Sequence, residues 1–106
     1  MSQFFYTYVL FSLRDRKNYI GYTKNLKLRF ESHQNGQVTS TKHRRPLKLI
    51  YFEPCLNQED ARRRERYFKT HYGKLFLKRR LKSYSTGLAP WNETFSRPGG
   101  AGIPQG

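Results

Sequence analysis

The alternation of apolar and polar segments predicts a β-hairpin at the start of the chain. Residues 4–12 (FFYTYVLFS) are aromatic, aliphatic or β-branched, which is typical of a strand. A polar stretch at 13–18 separates them from a second strand-like segment at 19–22 (YIGY), and strands so close in sequence pair as an antiparallel hairpin. A third strand is predicted at 47–53 (LKLIYFE), with Pro54 ending it because proline interrupts a strand.

A helix is predicted between the second and third strands. Thr23 or Asn25 can cap it, and Gly36 is placed to end it after about Asn35. The 3.6-residue period puts four side chains on its inward face, namely Leu26, Arg29, Phe30 and His33. Residues 37–46 (QVTSTKHRRP) are polar and basic, and we expect them to form an exposed loop.

A second helix is predicted after the third strand. Asn57 is its expected cap, and Glu59 and Asp60 in the first turn, with basic residues following, suit the helix dipole. Its inward stripe is expected to comprise Ala61, Glu65, Phe68 and Tyr72. Gly73 is expected to break it, and a short third helix is predicted over 74–82.

These elements predict an α+β domain with a three-stranded mixed or antiparallel sheet, formed by the N-terminal hairpin and the third strand and flanked by two or three helices. With 106 residues the chain has room for one small domain, which we assign to residues 1–82. Residues 83–106 are rich in Gly and Pro and are expected to be a disordered tail, or else an extended strap that docks through Trp91.

The charge of the chain points to a polyanionic partner. Lys and Arg number 21 against 7 Asp and Glu, a net charge of +14, and such a basic surface binds phosphate backbones through counterion release. No run of about 18 apolar residues is present, so no membrane span is predicted. The N-terminus lacks a secretory pattern and Cys55 is a single cysteine, which favours a cytoplasmic location.

Three charged or polar residues fall on helix stripes that should be apolar. Arg29 and His33 lie on the inward stripe of the first helix, and Glu65 lies on that of the second. Burying an isolated charge is expensive, so these groups are expected either to pair internally or to line a cleft. In a cleft, Arg29 would hold a phosphate and Glu65 would hold a divalent cation.

Phosphodiester hydrolysis also needs a group that accepts a proton from water. Carboxylates are scarce here, whereas the predicted hairpin carries Tyr6 and Tyr8 on one strand and Tyr19 and Tyr22 on its neighbour. A phenol has an ordinary pKa near 10, and nearby cations would lower that pKa toward the range of a useful base.

At this point the residues form a pattern that resembles the GIY-YIG nuclease family, over about residues 4–82. The pattern consists of Tyr6-Thr7-Tyr8, Tyr19-Ile20-Gly21, Arg29, His33 and Glu65 in this order and spacing. The segments YIGYTKNLKLRFESHQNG and EDARRRERYFKT resemble its small single-domain branch, which is related to the catalytic module of the excision-repair incision nuclease.

The resemblance implies a role for each matching residue. Tyr8 and Tyr19 match the two motif tyrosines, one of which would be the general base. Arg29 matches the arginine that stabilises the phosphoryl transition state, and His33 matches a histidine that assists proton transfer or orients the base. Glu65 matches the metal-binding glutamate, with Mg²⁺ or Mn²⁺ as the cofactor.

The chain departs from the family pattern at three points. Its first motif reads Tyr-Thr-Tyr rather than Gly-Ile-Tyr, Tyr22 stands where several members have Lys, and a late Asn has no counterpart before residue 83. Gly21, which matches the motif glycine, would let the strand approach the site. A separate DNA-recognition domain is absent from the pattern, so a protein partner or DNA shape would select the target.

The predicted function is therefore a metal-dependent endonuclease acting on nucleic acid, with DNA and DNA repair as the expected setting. Basic residues outside the motifs are expected to contact the phosphate backbone, namely Lys24, Lys42, His43, Arg44 and Arg45. The alternatives are a nucleic-acid-binding module of the same fold without turnover, or a basic RNA- or ribosome-associated protein.

Overall fold

The computed structural model describes residues 3–86 of the chain. Its elements follow in the order β1 (Phe5–Ser12), β2 (Asn18–Thr23), α1 (Leu26–Gln34), a 3-10 helix (Lys42–Arg44), β3 (Leu47–Cys55), α2 (Gln58–Phe68), α3 (His71–Arg80) and α4 (Lys82–Thr86). The predicted α+β class and three-stranded sheet are confirmed, and both strand pairs are antiparallel. Of the described residues, 3–69 belong to one compact unit and 70–86 belong to a second.

Strand β1 is the centre of the sheet, which has the order β2-β1-β3. Every residue of β1 from Thr7 to Ser12 is buried, so the strand is covered on both faces. On one face Tyr8 and Leu10 form the core with Leu47 of β3. The partly buried side chains packed against this core are Tyr19, Leu26, Phe30 and Leu49, two of them from α1.

Helix α2 covers the opposite face of β1. The Thr7 hydroxyl donates a buried hydrogen bond of 2.6 Å to the carbonyl of Ala61, and Ala61 and Phe68 of α2 are fully buried. Because side chains alternate along a strand, Thr7 and Tyr8 face opposite helices. The sheet is therefore sandwiched between α1 and α2, and β1 supplies residues to both layers.

Helix α1 begins and ends as its sequence predicts. The Asn25 side chain accepts a hydrogen bond from the backbone N–H of Leu28, and Gly36 has a φ of 76°, the left-handed conformation that ends helices. His33 is buried on the predicted inward stripe, whereas Arg29 of the same stripe is exposed. The stripe therefore divides into a packed part and a part that reaches the surface.

Two predictions for the segment around β3 are wrong. The strand continues through Pro54 to Cys55, because β3 lies at the edge of the sheet, where a missing N–H costs no ladder bond on the solvent side. The segment 37–46 is not a simple exposed loop, since Val38 and Thr41 are buried and a 3-10 helix follows them. Polar composition concealed two inward-facing side chains.

The predicted end of the second helix is also wrong. Asn57 caps α2 as expected, but α2 ends at Phe68, and Thr70 caps a new helix, accepting a hydrogen bond from the Gly73 N–H. Gly73 therefore lies inside α3 and does not break a helix. Tyr72, expected on the inward stripe of the second helix, lies instead in the first turn of α3 and is exposed.

Helix α4 runs past residue 82, the predicted end of the domain. Residues 87–106, most of the predicted tail, lie outside the described residues, so the domain boundary and the tail remain predictions. Among residues 3–86, none of the helices combines the length and the apolar character needed to cross a membrane.

Candidate active site

A buried chain of three hydrogen-bonding side chains connects strand β1, helix α1 and the segment after α1. The Tyr8 hydroxyl lies 2.8 Å from Nε2 of His33, and Nδ1 of His33 lies 2.7 Å from the Thr41 hydroxyl. Tyr8 is 1% exposed, and His33 and Thr41 are 0% exposed. Both ring nitrogens of His33 have a partner, so in the neutral imidazole one donates and the other accepts.

Gly21 provides the space for the Tyr8 ring. The two residues are direct partners in the β1–β2 ladder, and a Cβ at position 21 would lie 2.3 Å from Cζ of Tyr8 and 2.4 Å from its hydroxyl oxygen. Such distances are far inside van der Waals contact. The motif glycine is therefore required because the phenol of Tyr8 lies across the backbone of β2.

Burial keeps both members of the Tyr8–His33 pair neutral. Burial raises the pKa of Tyr8 to about 12, while a hydrogen bond from Arg29 acts in the opposite direction and the charges of Tyr19 and Glu65 raise the pKa further. Burial, with a smaller contribution from the Arg29 charge, lowers the pKa of His33 to about 4. The expected lowering of the phenol pKa by cations is therefore not met at Tyr8 in the protein alone.

Tyr19 lies beside this pair but is half-buried. Its ring centroid is 5.2 Å from that of His33 and 6.5 Å from that of Tyr8, and its hydroxyl is 3.5 Å from that of Ser40. The two motif tyrosines thus have different surroundings. Tyr8 has an imidazole as partner, whereas Tyr19 has a hydroxyl at the limit of hydrogen bonding.

Arg29 and Glu65 lie on different helices and influence the pKa of the Tyr8 hydroxyl in opposite directions. Arg29, exposed on α1, lowers that pKa, and the charge of Glu65 on α2 raises it. Glu65 is half-buried, with Nζ of Lys69 at 3.5 Å from its carboxylate. Within residues 3–86 no ion pair joins Arg29 to Glu65, so the alternative of an internal pair does not describe their arrangement.

The residues predicted to contact the phosphate backbone of nucleic acid divide into two groups. Lys24, Lys42 and His43 are exposed. The Arg44 guanidinium pairs with Asp15 at 2.6 Å and donates to backbone carbonyls, and that of Arg45 donates to the carbonyls of Lys42 and Gln34. Both arginines therefore stabilise the local backbone, and their contact with nucleic acid remains a prediction.

Thr41 is the residue of this site that the sequence analysis missed. It lies in a polar segment, QVTSTKHRRP, that carries no periodic signal. Its hydroxyl becomes significant only when the fold brings it to His33, eight residues earlier in the chain. A threonine buried between polar neighbours could not be distinguished from an exposed one by composition.

The carboxylate arrangement limits how a cation could be held. In the part of the chain that the structure describes, no group of three or more His, Cys, Asp and Glu side chains is placed to hold a metal ion. Glu65 alone fits a cation that keeps most of its water ligands, and Mg²⁺ binds in this way.

Residues 4–84 match the family model described as the GIY-YIG catalytic domain. The chain belongs to the GIY-YIG family. GIY-YIG domains are nuclease domains, so the chain is a member of a nuclease-type family.

The curated relatives of the chain include several UPF0213 proteins. The chain is 44% identical over 77 residues to a UPF0213 protein of Pediococcus acidilactici, covering 70% of this chain and 78% of the relative. It is 45% identical over 71 residues to one of Limosilactobacillus reuteri, covering 64% and 73%. It is 52% identical over 66 residues to one of Pediococcus pentosaceus, covering 61% and 68%. No solved structure matches the chain significantly.

Replacing Gly21 with alanine should displace the Tyr8 ring, since the new Cβ would overlap it. We expect Gly21→Ala to lower the free energy of unfolding by about 1–3 kcal/mol, the usual cost of overpacking. This loss can be measured by urea unfolding of Gly21→Ala, of Tyr8→Leu and of the double variant, as a double-mutant cycle. The cost should fall markedly in the Tyr8→Leu background, and an equal cost in both backgrounds would contradict the proposed clash.

Protonation of His33 should make the stability depend on pH. Its folded pKa of about 4 lies below the 6.5 of an unperturbed histidine, so the unfolded state binds more protons between these values. Stability is complete above pH 6.5 and falls as the pH drops toward 4, by up to about 1.4 kcal/mol per unit. Urea unfolding at pH 7, 6 and 5 should show this loss, and His33→Gln should remove this component of it.

Proposed function

We propose that this chain is a metal-dependent endonuclease that hydrolyses phosphodiester bonds of nucleic acid, with DNA as its substrate. The observation that carries the proposal is the convergence on one atom, the Tyr8 hydroxyl. His33 hydrogen-bonds it at 2.8 Å, Arg29 lowers its pKa, and the charges of Tyr19 and Glu65 raise its pKa. A proton acceptor, a phosphate ligand and a carboxylate for a cation are the parts that this reaction needs.

The Tyr8–His33 pair is the proposed proton acceptor. The Tyr8 hydroxyl would donate to Nε2 of His33, with Nδ1–H donating to Thr41. As water attacks phosphorus and the bond from phosphorus to the leaving oxygen breaks, the water's proton would pass to the Tyr8 oxygen while the original phenol proton passes to Nε2. Tyr8 is favoured over Tyr19 because its hydroxyl has this onward acceptor at 2.8 Å.

Arg29 is the proposed phosphate clamp. Its side chain is exposed at the surface and it lowers the pKa of Tyr8, so a phosphate bound by its guanidinium would lie on the Tyr8 side of the site. Guanidinium groups remain charged and bind phosphate oxygens through two parallel hydrogen bonds. Arg29 would therefore both position the scissile phosphate and offset the charge that develops on it.

Glu65 is the proposed cation ligand. Its carboxylate is half-buried, and its ion partner is an exposed lysine at 3.5 Å, which a divalent cation could displace. A bound Mg²⁺ or Mn²⁺ would neutralise charge on the phosphoryl oxygens and support the leaving oxygen. A carboxylate facing the phosphates would repel them without such a cation, which supports a catalytic rather than a purely binding role.

Several finer points belong to the same proposal. Tyr19, half-exposed next to His33, would orient the attacking water or the phosphate. Lys24, Lys42 and His43 would bind the nucleic-acid backbone on either side of the scissile phosphate. The setting is DNA repair in the cytoplasm, with a protein partner directing the domain to its target.

One observation favours the alternative, a nucleic-acid-binding module without turnover. The Tyr8 hydroxyl is buried with a pKa of about 12, so at neutral pH it keeps its proton and very little phenolate is available as a base in the protein alone. In that case the basic surface would bind nucleic acid, and the Tyr8–His33–Thr41 chain would serve stability only. The two functions can be distinguished by removing the Glu65 charge, which should reduce nicking by a nuclease but should not weaken nucleic-acid binding by a binding module.

Nicking of supercoiled plasmid with Mg²⁺ or Mn²⁺ tests the proposal. Glu65→Gln and Tyr8→Phe should each reduce the nicking rate by about 100-fold or more, because each removes a group that acts in the transition state. Arg29→Ala should do the same. Tyr19→Phe should cost less than Tyr8→Phe if Tyr8 is the proton acceptor.

Glu59→Gln is the matched control for Glu65→Gln, since Glu59 is an exposed carboxylate on the same helix. It should leave the rate within about two-fold. Equal trace nicking by wild type, Glu65→Gln and Glu59→Gln would exclude the nuclease and leave the binding module. Plasmid binding by Glu65→Gln should be at least as tight as that of wild type, because a negative charge has been removed.

Thr41 should influence the reaction through His33 without touching substrate. Thr41→Val removes the hydroxyl that faces Nδ1, which should lower the nicking rate about ten-fold, whereas Thr41→Ser keeps the hydroxyl and should restore it. The pH profile of nicking distinguishes positioning from packing, because only Thr41→Val should move it. A parallel loss of rate in both variants would indicate packing alone.

A further inference from the structure

A pocket of about 690 Å³ lies between helix α1 and the sheet, on the side of strands β1 and β3. The proposed catalytic residues do not line it. Its apolar walls include Phe4, Tyr6 and Phe52 from the sheet side and Phe30 from α1. Four aromatic rings around an open pocket in a basic chain indicate a site for a ligand.

The aromatic rings on the sheet side form a continuous group. The ring centroids of Phe4 and Tyr6 are 6.5 Å apart, and those of Tyr6 and Phe52 are 6.0 Å apart in an edge-to-face arrangement. Phe4 is 40% exposed and Phe52 is 45% exposed. Large aromatic side chains grouped at the surface mark binding sites more often than isolated ones do.

The charge around the pocket suits a phosphate-bearing ligand. Lys24 and Lys27 line it, against one carboxylate, Glu31. Lys24 and Gln3 also line a neighbouring pocket of about 550 Å³ to which Arg29 contributes. The aromatic pocket is therefore continuous with the surface where the scissile phosphate would bind, through two shared residues.

A second copy of the chain is a poor occupant for this pocket. Each copy carries a net charge of +14, and the pocket itself is edged by lysines, so two copies would bring like charges together. A nucleic-acid strand offers the complementary chemistry. Its bases stack on aromatic rings regardless of sequence, and its phosphates pair with lysines.

We propose that the pocket formed by Phe4, Tyr6, Phe30 and Phe52 takes an unpaired nucleobase of the strand whose phosphate lies at Arg29. This inference rests on the proposed function and adds a substrate class to it, namely nucleic acid with unpaired nucleotides beside the cleavage point. A base inside a duplex is stacked on its neighbours and cannot enter the pocket. Selection would thus come from base accessibility rather than from base sequence.

The experiment measures binding in a Glu65→Gln background, so that no cleavage is needed. Fluorescence anisotropy is recorded with a single-stranded 15-mer and with a 15-base-pair duplex, as DNA and as RNA, at one salt concentration. Phe52→Ala should weaken single-strand binding by on the order of ten-fold, because one stacked base is lost, and duplex binding by less than about two-fold. Phe52→Trp should restore single-strand binding.

Tyr72→Ala is the matched control, since Tyr72 is an exposed aromatic residue that does not line the pocket. It should leave both affinities unchanged. The fluorescence of a 2-aminopurine in the single strand should be quenched by the wild-type protein and quenched less by Phe52→Ala. Comparison of the DNA and RNA strands identifies the sugar that the pocket region prefers.

Equal weakening of single-strand and duplex binding by Phe52→Ala, or no weakening of either, would overturn the stacking pocket. So would a wild-type dimer in sedimentation that Phe52→Ala converts to a monomer, because the pocket would then be a contact between copies. Failure of the nuclease proposal is distinguishable: wild type would not nick plasmid, yet the single-strand preference and its dependence on Phe52 would persist.

Discussion

The buried hydroxyl of Tyr8 is the constraint on which the site depends. A phenol hydroxyl taken out of water needs a hydrogen-bond partner, and His33 supplies one from α1. The buried imidazole in turn needs a partner for its other nitrogen, which Thr41 supplies. Three segments that are distant in sequence are thereby held together by polar groups that cannot be left unpaired without a cost of about 1–3 kcal/mol. Gly21 completes the arrangement by leaving room for the ring.

The same burial sets the electrostatics of the site. Both members of the pair are neutral near pH 7, so Tyr8 is present as the phenol and not as the phenolate in the protein alone. Arg29 favours ionisation of Tyr8, whereas the carboxylate of Glu65 opposes it. A cation that neutralises Glu65 would remove this opposition. Cation binding would therefore favour ionisation of the Tyr8 phenol, and ionisation of the phenol would favour cation binding. The two helices thereby act on one oxygen with opposite charges, and their balance can be altered by a ligand.

Sequence patterns predicted the layout of the domain because most of its determinants are local. Asn25 and Asn57 cap the helices expected of them, and the apolar segments pair in antiparallel order. The errors come from context that no short window contains. Pro54 is tolerated because β3 is an edge strand, and Thr41 faces inward because His33 needs a partner. The motif residues could be identified from order and spacing, but the buried, neutral state of Tyr8 depends on packing from both faces of the sheet.

Net charge overstates the surface available to a polyanion. Arg44 is held by Asp15 and by backbone carbonyls, and Arg64 makes a two-point ion pair with Glu53 at 2.8 and 3.1 Å. These guanidinium groups stabilise the fold and face their partners rather than solvent. Lys24 and Lys27 on either side of the start of α1 are exposed, and Lys24 lies between the aromatic pocket and the pocket of Arg29. Under the proposed function, Lys24, Lys27 and the neighbouring rings would orient a bound strand, because a diffuse charge of +14 attracts a strand without orienting it.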